Sequence, residues 1–136
     1  MMKENWIIDI LRSKGFKVTP QRIALIDTTS KAGHASVEQI YKSMKDGFPA
    51  ISLTTIYKII GIFLHNEIIK EIHIAGKKKI YEIKKSPHAH HVCAVCGRIS
   101  DIYIDTKDLV GQIKSKGYET TSPAIYCYGI CPDCRK

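Results

Sequence analysis

Two Cys-x-x-Cys pairs, Cys93 with Cys96 and Cys131 with Cys134, stand 35 positions apart and constrain this chain more than any other feature. A two-residue gap lets both thiols of a pair turn toward one point, and two such knuckles supply the four sulfurs that Zn2+ prefers in a tetrahedral site. Such an ion would tie the start of one segment to residues near position 134, and four protein thiolates would leave no open position for a reacting water. The role expected is therefore structural. Two other readings compete: a redox-active dithiol and unrelated buried thiols. A redox pair belongs at a helix N-terminus, where the dipole lowers the thiol pKa, whereas the residues around Cys93 read as strand. The fifth cysteine, Cys127, is read as an ordinary half-buried strand residue.

The chain ahead of the first knuckle carries helical periodicity. Trp6, Ile7, Ile10 and Leu11 fall on one face, with Gly15 as a stop. Thr19 and Pro20 read as N-cap and first helical residue of a second helix through Ile23 and Ile26 to about Ser30. Ser36 with Gln39 forms a capping box for a third helix, through Val37, Ile40, Tyr41 and Met44 to Gly47. Ser52 opens a fourth, carrying Leu53, Ile56, Tyr57, Ile60 and Leu64 with Thr54, Thr55 and Lys58 interleaved. Ile68 to Ile74 and Lys79 to Lys84 are β-rich and joined through Ala75-Gly76-Lys77-Lys78 as a hairpin with a cationic tip. Three helices, a candidate recognition helix and a basic hairpin describe a winged helix.

At Lys84-Lys85-Ser86-Pro87 the composition changes, and proline disfavours helix before it, so a hinge is expected over about 84–91. Beyond it, Val92 to Cys96 and Arg98 to Ile104 read as strands. Asp105 or Thr106 caps a helix through Leu109, Val110 and Ile113 to Gly117, and Tyr118 to Ile130 supplies further strand. The expected fold is α+β: a winged-helix DNA-binding domain over 1–84 and a small α/β dimerisation and metal-binding domain over 85–136. A unit of roughly fifty residues is marginal by itself, so a metal staple or a dimer partner should help hold it.

Charge points to a partner. Residues 1–84 hold 14 Lys and Arg against 8 Asp and Glu, a net of +6, while residues 85–136 have a net of +2. A basic domain attracts polyanions because neutralised phosphates release condensed counterions. Nucleic acid leads; a solvated lysine-rich surface is the plain alternative. On the fourth helix Thr54, Thr55 and Lys58 suit phosphates, and Tyr57 offers a ring to thymine methyls and a hydroxyl for hydrogen bonding, unless it is a core aromatic beside Ile56 and Ile60. Lys14 and Arg22 are backbone or minor-groove candidates. Lys77, Lys78 and Lys79 would follow phosphates without reading sequence. The first ten residues hold Lys3, Glu4 and Asp9 and do not read as a signal peptide, and no apolar run approaches the ~18 residues of a membrane span. A cytoplasmic protein with no membrane partner is expected, which favours metal ligands over disulfides for the thiols.

His88-Ala-His90-His91 lies just before the first knuckle, with Glu82 upstream and Asp101 downstream. Imidazoles and carboxylates gathered around a hinge could bind a second ion, harder in preference than the thiolate site; a solvated histidine loop is the alternative.

Gly15-Phe-Lys-Val-Thr-Pro-Gln-Arg22, His34-Ala-Ser-Val-Glu38, Thr54-Thr-Ile-Tyr57 and the His-x-His-x-x-Cys-x-x-Cys run resemble the Fur family, in the family's order and over almost the whole chain. The resemblance implies a regulatory metal site of His34, Glu82, His88, His90 and Asp101, with ligands from both sides of the hinge, and it matches Tyr57 to a recognition tyrosine. It also implies a homodimer through the C-terminal domain, on AT-rich, pseudo-palindromic double-stranded DNA. Asp101, where many iron-uptake members have Glu, leans toward the family's PerR branch, as does the presence of Pro87, Ala89 and Pro123 where an extra site would need ligands. In that branch Fe2+ in the regulatory site lets hydrogen peroxide oxidise a ligand histidine, here His34 or His88, while Mn2+ binds without oxidation. The result would be a repressor, not an enzyme, that releases its operator on oxidation. Glu82 departs from the Asp of some PerR proteins, and an iron-responsive repressor of iron uptake is the alternative within the family. Outside it, a thiol-disulfide or small zinc enzyme using the Cys-x-x-Cys pairs is the competing reading.

Overall fold

A computed structural model describes residues 5–74, 76–84, 88–121 and 123–136. The chain forms two compact units, Met1–Lys84 and Lys85–Lys136. Of the hinge expected over about 84–91, residues 85–87 lie outside the described residues, as does Ala75 in the hairpin link, while residues 89–91 are strand instead.

Four helices and a hairpin make the first unit. α1 (Asn5–Ser13) buries Ile7 and Leu11, and the chain then reverses at Gly15, whose φ of +79° suits glycine. α2 (Pro20–Ala32) starts as its sequence dictates: Thr19 is extended, its hydroxyl accepts the Arg22 N–H, and Pro20 occupies the first turn. It runs two residues past the expected Ser30, to the break at Gly33, where φ is +77°. α3 (Val37–Lys45) carries the capping box in both directions, Ser36 Oγ accepting from Gln39 N–H and Gln39 Oε1 from Ser36 N–H. α4 (Leu53–His65) is capped by Ser52 and buries Ile56, Ile59, Ile60 and Phe63, one stripe at helical spacing.

These helices close over a core that includes Leu25, Ile26, Ile40, Ile60 and Phe63, with Ile69 and Tyr81 from the hairpin. The hairpin strands are shorter than expected, β1 (Ile69–Ile72) and β2 (Ile80–Ile83), paired antiparallel with Lys70 opposite Glu82 and Glu71 opposite Tyr81. One further bridge, Ala35 with Tyr81, stitches the α2–α3 link to β2 through two backbone hydrogen bonds of 3.0 and 2.8 Å.

The second unit is a three-stranded sheet with one helix. β3 (Ala89–Cys93) is central, β4 (Ile99–Ile102) is antiparallel to it and β5 (Ile125–Gly129) parallel. The expected strand over Val92–Cys96 is displaced: it begins inside the histidine run and ends at Cys93, because Cys96 belongs to a turn closed by Gly97 N–H on Cys93 O, with Gly97 at φ +78°. The long strand expected over Tyr118–Ile130 shrinks to five residues, since its only ladder partner among the described residues is the five-residue β3. α5 (Lys107–Ser115) is preceded by Thr106, which makes no side-chain cap; Asp105 Oδ1 accepts the Lys107 N–H instead. No α5 residue is buried, and Leu109 is 42% exposed. No helix among the described residues is long and apolar enough to cross a membrane.

Candidate metal centres and nucleic-acid face

The thiolate site is assembled by two turns. Cys93 ends β3, Cys96 follows in the turn, and Cys131 and Cys134 sit in a second turn after β5, closed by Cys134 N–H on Cys131 O at 3.1 Å. Parallel pairing carries Gly129 alongside Cys93, and the Ala94 N–H donates to Gly129 O at 2.7 Å, so the two knuckles face each other. All four sulfurs lie within 4.8 Å of one another. A tetrahedron with metal–sulfur bonds of ~2.3 Å has edges of roughly 3.8 Å, and Cys96 Sγ and Cys131 Sγ are 3.8 Å apart. That separation is nearly twice a disulfide bond of ~2.05 Å; the cysteines are free thiols.

Electrostatics fit a cation there. The backbone N–H groups of Cys96 and Cys131 point at Cys93 Sγ and hold its pKa down at about 5. Cys134 is pushed up to about 12, first by its hydrogen bond with Cys131 and then by burial and the neighbouring thiols. Four crowded sulfurs cannot all ionise unless positive charge joins them, and a divalent ion provides it. Arg98, just past the first knuckle, pairs with Asp133 inside the second. Cys93 closes a strand, so the helix-dipole activation of a redox dithiol is absent at that thiol. Cys127, expected half-buried, is exposed on the edge strand β5.

In the second unit three further donors converge on one face of the sheet. His88 and His90 are two residues apart, so strand alternation turns them the same way, and their Nε2 atoms are 3.2 Å apart. Asp101 lies opposite His90 in the ladder, and its Oδ1 is 3.6 Å from each Nε2. Tyr126, registered with His90 across β5, stacks on that imidazole at 5.4 Å, and Tyr103 lies against His88 at 5.7 Å. His91 points to the opposite face, where its Nε2 is 3.3 Å from the place a Cβ on Gly129 would occupy. Neither tyrosine was expected from sequence, because each reaches its imidazole through a strand pairing that no local pattern records.

In the first unit the Ala35–Tyr81 bridge brings the next residue on each side together. His34 Nε2 is 3.3 Å from Glu82 Oε2, and the Glu82 side chain is 1% exposed. A buried carboxylate is costly unless compensated, so an enclosed Glu beside an imidazole is a natural cation half-site.

On α4, Tyr57 is 54% exposed, and Thr54 and Lys58 are exposed while Thr55 is intermediate; the core stripe runs along the opposite side. The buried-aromatic alternative for Tyr57 is thereby overturned. Arg22 is not a dangling charge: its Nη1 donates to Lys17 O at 2.8 Å and its guanidinium lies 5.4 Å from the Phe16 ring centroid. Lys14 and the three hairpin lysines are exposed, with Lys78 3.9 Å from Glu38 and Lys79 3.4 Å from Glu71.

The model of the ferric uptake regulator family matches residues 13–128. The peroxide-responsive repressor PerR of Staphylococcus saprophyticus is 30% identical over 131 residues, covering 94% of this chain and 88% of that protein. The ferric uptake regulation protein of Neisseria gonorrhoeae is 31% identical over 130 residues, covering 92% and 90%. Among solved structures, the Campylobacter jejuni peroxide stress regulator superposes with a TM-score of 0.75 at 26% identity, covering 93% of this chain and 98% of that one. A helical unit with a β hairpin, followed by a small sheet, thus superposes along nearly the full length of such a regulator, and the chain belongs to the ferric uptake regulator family.

Proposed function

We propose that the protein is a metal-dependent transcriptional repressor, dimeric on AT-rich pseudo-palindromic DNA, that senses hydrogen peroxide through oxidation of a ligand histidine. Zn2+ held by Cys93, Cys96, Cys131 and Cys134 is structural. His34 and Glu82 from the first unit and His88, His90 and Asp101 from the second share one regulatory ion, Fe2+ or Mn2+. An ion that needs donors from both units favours whichever arrangement lets them meet, and shifts the population toward it by its differential affinity. That arrangement is the DNA-competent one. Tyr57 reads base edges from α4, with Thr54, Thr55, Lys58, Lys14 and Arg22 positioning the duplex backbone and Lys77, Lys78 and Lys79 following phosphates along the wing.

The observation that carries the reading is the converging trio of His88 Nε2, His90 Nε2 and Asp101 Oδ1, three donors of the required type with mutual distances of 3.2–3.6 Å. The apolar side chains left outside on α5 support a second copy as the partner of this unit. Fe2+ would promote cleavage of the O–O bond of peroxide; overall, one peroxide oxygen would replace the hydrogen on an imidazole carbon and the other would leave as water. The protein's part is to hold the imidazoles of His34 and His88 where an oxygen atom can be transferred to carbon. Oxygenation of the ring carbon would lower the donor ability of the imidazole nitrogens, weaken the site and free the operator. Asp101 favours this branch; the similarity to ferric uptake regulation proteins keeps reversible iron co-repression as the rival.

Mass spectrometry separates the two. Fe2+-loaded protein given sub-stoichiometric peroxide should gain one oxygen on the peptide bearing His34 or His88 and lose operator binding. An unmodified protein still on DNA would select the iron-uptake repressor.

A further inference from the structure

Glu82 has a second neighbour of chemical interest. The antiparallel register of β1 and β2 sets Lys70 directly across from it, and residues so paired share a face with Cβ atoms about 4.5–5.5 Å apart. Ile69, Tyr81 and Ile83 pack on the helical core, so alternation turns Lys70 and Glu82 to the other face of the hairpin, alongside Ile72, which is 1% exposed, and Ile80. Lysines at the rim of the same hairpin pair with more exposed carboxylates, Lys79 with Glu71 at 3.4 Å and Lys84 with Glu67 at 3.5 Å. Lys70 is the one whose ladder partner is an enclosed carboxylate.

We propose that Lys70 is a tethered competitor for the divalent cation at Glu82 and thereby sets the metal affinity of the regulatory site, an inference that rests on Glu82 being a ligand as read above. A carboxylate enclosed beside apolar side chains is costly without positive charge, and an ammonium one strand away supplies it when no metal is bound. An arriving divalent ion meets that ammonium as a like charge. The apolar flank of Ile72 screens their repulsion poorly, so metal affinity is lowered. The four-carbon stem lets the ammonium withdraw toward solvent once the ion is seated, which keeps the penalty finite. Affinity is thus held down without any change in the ligands, which suits a site meant to respond to changes in free metal.

The test uses the full-length, zinc-replete protein and Mn2+ as the probe, with affinity read by competition against a chromophoric chelator. Lys70→Met and Lys70→Gln should each tighten Mn2+ on the order of tenfold. Lys70→Arg, which keeps the charge, should stay within about twofold of the parent. Metal-free Lys70→Met should melt below the metal-free parent, and the deficit should vanish when both hold Mn2+. If Lys70→Met fails to fold, Lys70→Gln carries the comparison. Neutral variants that bind Mn2+ no more tightly than the parent overturn the competitor role. Glu82→Gln separates the two levels. If it weakens Mn2+ while the Lys70 variants change nothing, only the competitor role falls; if it too leaves Mn2+ affinity unchanged, the ligand assignment falls and takes the proposal with it.

Discussion

The two units are held together by different physics. In the first, apolar side chains from four helices and a hairpin meet in a continuous core whose centre, from Ile7 to Phe63, is sealed from solvent. In the second, the buried set among the described residues is short: Ala89, Val92, His90, Thr106 and two of the four knuckle cysteines, with nothing from α5. Burial at roughly 25 cal/mol per Å2 can stabilise the first unit. Among its described residues the second buries far fewer apolar side chains, so an ion held by its cysteines, or a partner over α5, would contribute proportionally more to its stability. The comparison teaches that the candidate ligands His88, His90 and Asp101 lie on the unit with fewer buried apolar side chains, where a bound ion would add most to stability.

The largest effect that could break this contrast is loss of the thiolate ion. Cys131→Ser, or a strong chelator, should remove the ~10–16 kcal/mol that structural zinc contributes in small zinc-dependent folds. Amide exchange should then lose protection over β3–β5 while α2 and α4 stay protected; joint loss in both units would end the distinction. Acid gives the same removal by another route. The Cys93 thiol, depressed to about 5, favours the folded site above the ordinary thiol range, and that advantage disappears as pH falls through about 5. Protons compete for the thiolate over the window between its ordinary value and about 5, so zinc release followed with a metallochromic dye should rise progressively as pH falls from neutrality and be complete below about 5.

Next in size, Phe63→Ala should cost the first unit about 3–5 kcal/mol through transfer and cavity terms, seen as a lower unfolding midpoint with zinc content unchanged. His90→Ala should leave both folds standing and weaken Mn2+ binding by about 10–100-fold or more, the low end being what even outer-shell partners cost; isothermal calorimetry on zinc-replete protein reads it. Thr19→Ala removes the side-chain cap on α2 and should destabilise the first unit by about 1 kcal/mol. Smallest of all, Arg98→Ala breaks the exposed pair with Asp133, and a shift of more than about 1 kcal/mol in second-unit stability would mean that the pair and not the ion joins the knuckles.

Most of the first unit is legible in its sequence because its signals are local. Thr19-Pro20, Ser36 with Gln39, and Ser52 each announce a helix start through a hydrogen bond spanning three residues, and each is made. The second unit reads less well because its geometry is set by pairing at a distance. Nothing near Val92 says that the strand should start at Ala89 and stop at Cys93; that follows from which residues β4 and β5 present to it. The exposure of Cys127 has the same origin, since only strand order reveals that β5 is an edge. The candidate site divides likewise. The cysteine knuckles and the His88/His90 alternation are spacings visible in the text of the chain. The stack of Tyr126 on His90, the convergence of Asp101 and the approach of His34 to Glu82 through the Ala35–Tyr81 bridge need the fold.

β3 is five residues long and serves two chemistries: His90 stands in its second position and Cys93 in its last. Such a strand behaves as a common rail. Slack introduced at the sulfur end, whether by thiol oxidation or by a scavenger of soft metals, would be felt three residues away as misaligned imidazoles. Under the function proposed above, metal response would then be lost without any injury to the ligand side chains themselves, so a fault in the anchor would look, to the operator, like a signal.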